Sequence, residues 1–238
     1  MKNIRYEIAD CGGISAATAA VPTTTEERGA TADHPHEDST NLRRALETVF
    51  AEVGFSEFGF IETHRLTYHP EIREICQGNT CRNYNTSWAC PPAVGTIEEC
   101  RARVARYDTM LLFSRVYRLE DSFDFEGMTE GMKDFKRLVD RLQDRLQGGS
   151  EILPDFLLLS NEGCGRCVAC TYPDAPCRYP QRLHHSLEGY GFIVSELARE
   201  AGVRYNNGAC TVTYFGALLF HKAAQPTSKT QGKEANQP

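Results

Sequence analysis

Apolar positions in the middle of the chain fall into two alternating rhythms. Leu42, Leu46, Val49, Phe50 and Val53 recur every three or four residues, one side of a helix that Gly54 can close. Ser56 to Ile61 follows as a short strand. Thr96 and Glu99 form a capping-box pattern that opens a helix running to about Arg106. Thr109 to Tyr117 is an apolar and aromatic run, as expected of a buried strand. Phe135, Leu138, Val139, Leu142 and Leu146 mark an amphipathic helix that ends near Gly148-Gly149. Asp155 to Ser160 reads as a second buried strand, Leu187 to Ala201 as a helix with Gly202 beyond its end, and Cys210 to Phe220 as a final strand. Strands alternating with helices predict an α/β or α+β fold, a layered sheet with flanking helices.

This pattern covers residues 41–222, read as a single domain. Before it, residues 1–40 include a stretch from Gly12 to Ser39 rich in Ala, Thr, Gly, Pro and acids, which has little to bury and reads as flexible. His34 and His36 sit there as solvated histidines. After it, the polar segment 223–238 reads as a disordered tail.

Charge removes several classes of function. Acids outnumber Lys and Arg by 32 to 26, for a formal charge of −6, so the basic face that nucleic acid requires is not expected. No run of about 18 apolar residues suggests a membrane span. The start, Met1 to Glu7, lacks the apolar core of an export signal, and the expected location is cytoplasmic.

Ten cysteines shift attention to metal. Cys164-Gly-Arg-Cys167-Val-Ala-Cys170 has the C-x2-C-x2-C spacing with which one loop wraps an iron–sulfur cluster, and Cys177 stands nearby as a fourth ligand. The bacterial ferredoxin run continues C-x3-C-P; here the fourth cysteine and Pro180 come late, and Cys177 can serve this cluster or another. Zinc, which also takes four thiolates, is the alternative metal, although zinc ribbons usually divide their ligands between two separate C-x2-C pairs. Arg166, Arg178 and Arg182, in or just after the loop, would offset a cluster's negative charge or simply face solvent.

A second set lies upstream: Cys76, Cys81 and Cys90, the last followed by Pro91-Pro92. Three thiolates can hold three irons. The fourth position is then filled by Cys100, Cys177 or a histidine, or is open to substrate. Cys100 and Cys210 read as core residues, and Cys11 as no ligand. Tyr84 and Trp88 either shield the metal or merely pack. His64, His69, His184 and His185 are open as ligands or proton donors.

At these residues the chain resembles domain-of-unknown-function family 2284, described as predicted metal-binding proteins. The matching stretches are Cys81-Arg-Asn-Tyr84, Trp88 to Gly95, Cys164 to Pro180 and Ser186-Leu-Glu-Gly-Tyr-Gly191, within a resemblance spanning about Ile72 to Phe220. The resemblance implies metal, with iron–sulfur expected, and no particular reaction. Where the family often has Arg-Pro-Ser, this chain has Leu183-His184-His185-Ser186, which leaves that segment's role open.

The expected function is therefore binding of one or two 4Fe–4S clusters and electron transfer to a redox partner protein. Two alternatives stand beside it. One is a metalloenzyme whose small-molecule substrate binds an open iron of the three-cysteine site, in reductive or sulfur-transfer chemistry. The other is a zinc-stabilised interaction module.

Overall fold

The computed structural model describes residues 35–148 and 152–222, with side chains from residue 40 onward. The readings made for residues 1–34 and for the tail, Cys11 and His34 among them, lie outside the described residues.

The elements run α1 (Pro35–Val53), β1 (Glu57–Glu62), α2 (Ile72–Gln77), α3 (Ile97–Val104), β2 (Thr109–Arg118), α4 (Phe125–Gly148), β3 (Phe156–Ser160), β4 (His185–Ser186), α5 (Val194–Ala201) and β5 (Thr211–Phe220). The five strands make one mixed sheet in the order β1-β2-β5-β3-β4. The pairs β1–β2, β2–β5 and β5–β3 are antiparallel, while β3–β4 is a short parallel pair through Leu159↔His185 and Ser160↔Ser186. The fold is therefore α+β.

Both faces of the sheet are covered, so its central strands read as unbroken apolar runs instead of alternating ones. Successive side chains on a strand point to opposite faces. Leu111 and Phe113 of β2, Leu158 of β3 and Leu218 and Phe220 of β5 meet α1 and α4 through Leu46, Phe50, Phe135 and Leu142. Met110 and Leu112, Leu159, and Phe215, Ala217 and Leu219 face the other way, onto Cys100 and Val104 of α3 and Leu197 and Ala198 of α5. The capping box expected at Thr96 is present: its hydroxyl accepts from the Glu99 amide, and the Glu99 carboxylate accepts from the Thr96 amide.

Three readings of the sequence change. Helix α1 reaches back to Pro35, into the segment read as flexible. The helix expected from Leu187 starts only at Val194, because the chain makes a single 3-10 turn over Glu188–Tyr190 and Gly191 then enters the left-handed region at φ 82°. A short helix, α2, carries Cys76, where a loop was expected.

Candidate metal centre

Two cysteine-bearing segments leave the sheet at one end. The first, residues 71–86, contains no buried residue, and α2 within it buries nothing. It bends sharply: Asn79, Arg82 and Asn85 all have positive φ, at 52°, 60° and 56°. Asn tolerates that conformation better than most residues, Arg does not. The Asn79 side chain accepts from the Tyr84 amide (3.0 Å), and the Asn85 amide donates to Pro91 O (2.8 Å). The second, residues 163–185, follows β3 and also contains no buried residue. It is pinned from outside: Arg166 forms a bidentate pair with Asp140 of α4 and donates Nε to Arg182 O (2.8 Å), while Arg178 donates to Ala169 O (2.9 Å).

The downstream thiols converge. Cys164, Cys167, Cys170 and Cys177 line one cavity of about 180 Å³, together with Arg166, Arg178 and Trp88. Cys177 thus joins the C-x2-C-x2-C run. Trp88 comes from the upstream segment, donates Nε1–H to Ala175 O (3.1 Å) and packs edge-on against Tyr172. Arg182 lies outside that lining and is bonded to Asp144 and to Asp140 O.

The upstream thiols line a separate cavity of about 350 Å³: Cys76, Cys81 and Cys90, with Tyr84 beside them. Its remaining walls include Glu162, Glu188 and Asn161, none adjacent to these cysteines in sequence. Asn83 lines both cavities and packs where Gly163 has no side chain, since a Cβ there would stand 2.8 Å from the Asn83 amide nitrogen.

Other candidates go elsewhere. Cys100 is fully buried, with its sulfur near Val94 O, Gly189 O and the Arg73 and Arg103 guanidiniums. Cys210 is also buried. His69 bridges Glu71 and Glu196, and His64 lies by Glu62 at the surface. His184 bonds Gln143 Oε1 (2.9 Å) and His185 the Tyr190 hydroxyl (3.2 Å). None of these four histidines lines either cysteine cavity. Among the described residues, no three His, Cys, Asp or Glu side chains are grouped as ligands of a single metal ion.

Sequence reading missed Glu162, Glu188 and Asn83. Glu162 is buried, bonded to the Ser160 hydroxyl and paired with Lys136 of α4 (3.3 Å). The one signal for Glu188 was its place in the Ser186–Gly191 motif quoted above.

Electrostatics follow burial. Burial pushes the Cys90 thiol up to about 11, against a hydrogen bond with Ser186, and raises Cys76 as well, with the Glu188 carboxylate second. A metal must displace those protons, so loading here should strengthen as pH rises. Burial also lifts Glu188 to about 7 and lowers His184 and His185 to about 4.

The last three shifts give a stability prediction for the metal-free protein. Around pH 5 to 6 the unfolded chain carries both histidines mostly protonated and Glu188 mostly ionised. The folded chain carries both histidines neutral and Glu188 protonated. Unfolding therefore takes up one net proton, and stability should rise with pH by about 1.4 kcal/mol per unit. Replacing both histidines by Gln leaves only Glu188, whose stabilising protonated form is lost as pH rises, so the slope should change sign. Urea unfolding at pH 5 and 6 reads both slopes; equal slopes would refute the assignment.

A family model matches residues 59–220. No curated protein matches the chain, and neither does any solved structure. Among the described residues, no helix is long and apolar enough to cross a membrane. The match starts at Gly59 in β1, takes in every strand of the sheet and includes all seven cysteines of the two cavities. The chain belongs to the family of predicted metal-binding proteins, domain-of-unknown-function family 2284.

Proposed function

We propose that the protein is an iron–sulfur redox protein that holds a 4Fe–4S cluster on Cys164, Cys167, Cys170 and Cys177 and passes electrons to a partner protein. The carrying observation is that residues 163–185 contain no fully buried residue, yet bring four thiols to one cavity. A segment without buried apolar groups has no hydrophobic energy to hold its shape. Metal–thiolate bonds supply such energy directly.

The cavity favours a cluster over zinc. A zinc ion sits about 2.3 Å from each thiolate, which leaves no room between ligands. Here the four thiols share the lining of a cavity of about 180 Å³. The cluster supplies one-electron chemistry when bound. The chain's own residues tune its setting: Arg166 and Arg178 place cationic groups on the lining, and Trp88 covers one side. Val168, fully exposed between Cys167 and Cys170, puts the loop tip at the surface, where a partner can approach.

The upstream set supports a second cluster. Its three cysteines line their own cavity; residues 71–86, with Cys76 and Cys81, contain no buried residue, while Cys90 is buried.

Anaerobic purification and reconstitution, with iron, sulfide and zinc counts per chain, tests this. The expected result is about four irons and four sulfides for each occupied site, about eight of each in all. The spectrum should bleach with dithionite and recover on reoxidation. A Cys167→Ser/Cys170→Ser variant should lose about half of the iron. Stoichiometric zinc without sulfide, in a colourless protein after reconstitution, would overturn the proposal.

A further inference from the structure

The upstream cavity has a composition that an electron relay does not need. Three thiols line it, and no fourth cysteine does. At about 350 Å³ it is nearly twice the volume of the cavity ringed by four thiols. The surplus wall is apolar: Ile72, Ile75, Tyr84 and Pro91 supply it. Ile75 is 69 % exposed on α2, so apolar surface extends to the cavity's rim.

The ionisable side chains of the wall, apart from its thiols and Tyr84, are all acids. Glu162 and Glu188 line the cavity, and no Lys or Arg does. Glu162 is held by Ser160 and Lys136. Glu188 is different: among the described residues its carboxyl bonds only its own backbone amide, and it is left available inside the cavity. Asn161 adds an amide. Three thiolates would add further negative charge. An anionic ligand would meet the negative charge of the thiolates there with no cation on the lining itself, since Lys136 is already paired with Glu162, at close range and partly out of water.

From these observations, and resting on the iron–sulfur reading above, we infer that the Cys76–Cys81–Cys90 cavity is a substrate site. It takes a small, non-anionic organic molecule with an apolar body. The molecule's donor atom fills the iron position that the three cysteines leave without a protein ligand, and Glu188 and Asn161 hydrogen-bond its polar groups. Asn83, which lines both cavities, places this site directly beside the four-cysteine one, so electrons have a short way to the substrate.

Two thiols of similar size test the inference: 2-mercaptoethanol, which is uncharged, and 3-mercaptopropionate, which carries a carboxylate. Each is titrated into the reconstituted full chain under anaerobic conditions, with the EPR spectrum of the reduced protein as readout. We expect 2-mercaptoethanol to shift one of two cluster signals at a concentration at least about tenfold lower than 3-mercaptopropionate, since like charge is costly in a partly dehydrated cavity. The shifting signal should be missing from a Cys81→Ser variant and retained in a Cys167→Ser/Cys170→Ser variant. Because either variant can fail to fold, ⁵⁷Fe Mössbauer spectra of the unsubstituted protein give a second readout: one iron in about eight should change its parameters with 2-mercaptoethanol.

Failure divides cleanly. If the unsubstituted protein binds no iron, the iron–sulfur reading itself is wrong. If it binds about eight irons and neither thiol alters any signal, the clusters stand and the substrate site is refuted. Equal response to both thiols, or preference for the anionic one, overturns the assigned substrate class.

Discussion

Amide hydrogens of residues 71–86 and 163–185 should exchange orders of magnitude faster in metal-free protein than in the loaded form, while those of β2 and β5 change little. The expectation follows from what each region has to hold it. Strands β2 and β5 pair over ten residues, and Met110 to Phe113 and Ala217 to Leu219 are fully buried. Opening them costs most of the global unfolding free energy. The two cysteine segments bury no residue and rest on a few hydrogen bonds and ion pairs at partly exposed positions. Such segments open locally at little cost unless they are cross-linked. In the proposed function metal–thiolate bonds would be that cross-link, and binding energy of this kind appears directly as order in the chain that supplies the ligands. Hydrogen exchange followed by mass spectrometry, on chelated and reconstituted samples, gives the comparison by segment. Equal protection in both samples would mean that the segments are held by something other than metal. A uniform change across β2 and β5 as well would mean that metal folds the whole chain.

Replacing Phe113 by alanine should cost about 3–5 kcal/mol, the usual range for a fully buried phenylalanine. Phe113 is at the centre of the face covered by α1 and α4. Its ring centroid lies 5.2 Å from Phe50, 4.4 Å from Phe55 and 6.1 Å from Phe135. It lies across Gly216, where an added Cβ would stand 2.4 Å from its Cζ. The sheet backbone and three aromatic rings fix the space around it, so collapse into the void is limited and the cavity contribution is large. Neither cysteine cavity is lined by a residue of this cluster, so the variant should take up as much metal as the unsubstituted protein where it remains folded. Denaturant unfolding measures the loss. A cost below about 1 kcal/mol would show that the aromatic cluster repacks.

Much of this architecture was legible because its signals are local. Thr96 and Glu99 announce the start of α3, and the apolar run from Thr109 announces β2. The failures have definite causes. Leu187, Tyr190, Val194 and Leu197 keep helical spacing across Gly191, and nothing in their order reveals that the chain breaks there and resumes. The four are buried because a 3-10 turn and a helix both face α3 and the sheet. Helix α2 buries nothing, so it carries no periodic signal for a pattern to find. In the candidate site, spacing alone identified all seven cysteines of the two cavities, since a loop that wraps a metal needs its ligands close in sequence. Glu162, Glu188 and Asn83 were not singled out, although Glu188 and Asn83 stand inside quoted family stretches, for the opposite reason. Folding brings them together from after β3, after β4 and after α2, and no spacing rule connects such positions.

Both cysteine segments hang from one short parallel pair. Ser160 ends β3, Ser186 ends β4, and the Ser186 amide donates to Ala89 O, beside Cys90 (2.9 Å). Six of the seven candidate cysteines lie outside the hydrophobic layers, and only Cys90 is buried at their edge. The sheet and the segments are therefore separable inheritances. Residues 71–86 and 163–185 should tolerate exchange or lengthening at less cost to folding than residues of the sheet. In chains built on this plan, variation in what is bound should concentrate between α2 and Pro91 and between Gly163 and His185, on an unchanged chassis.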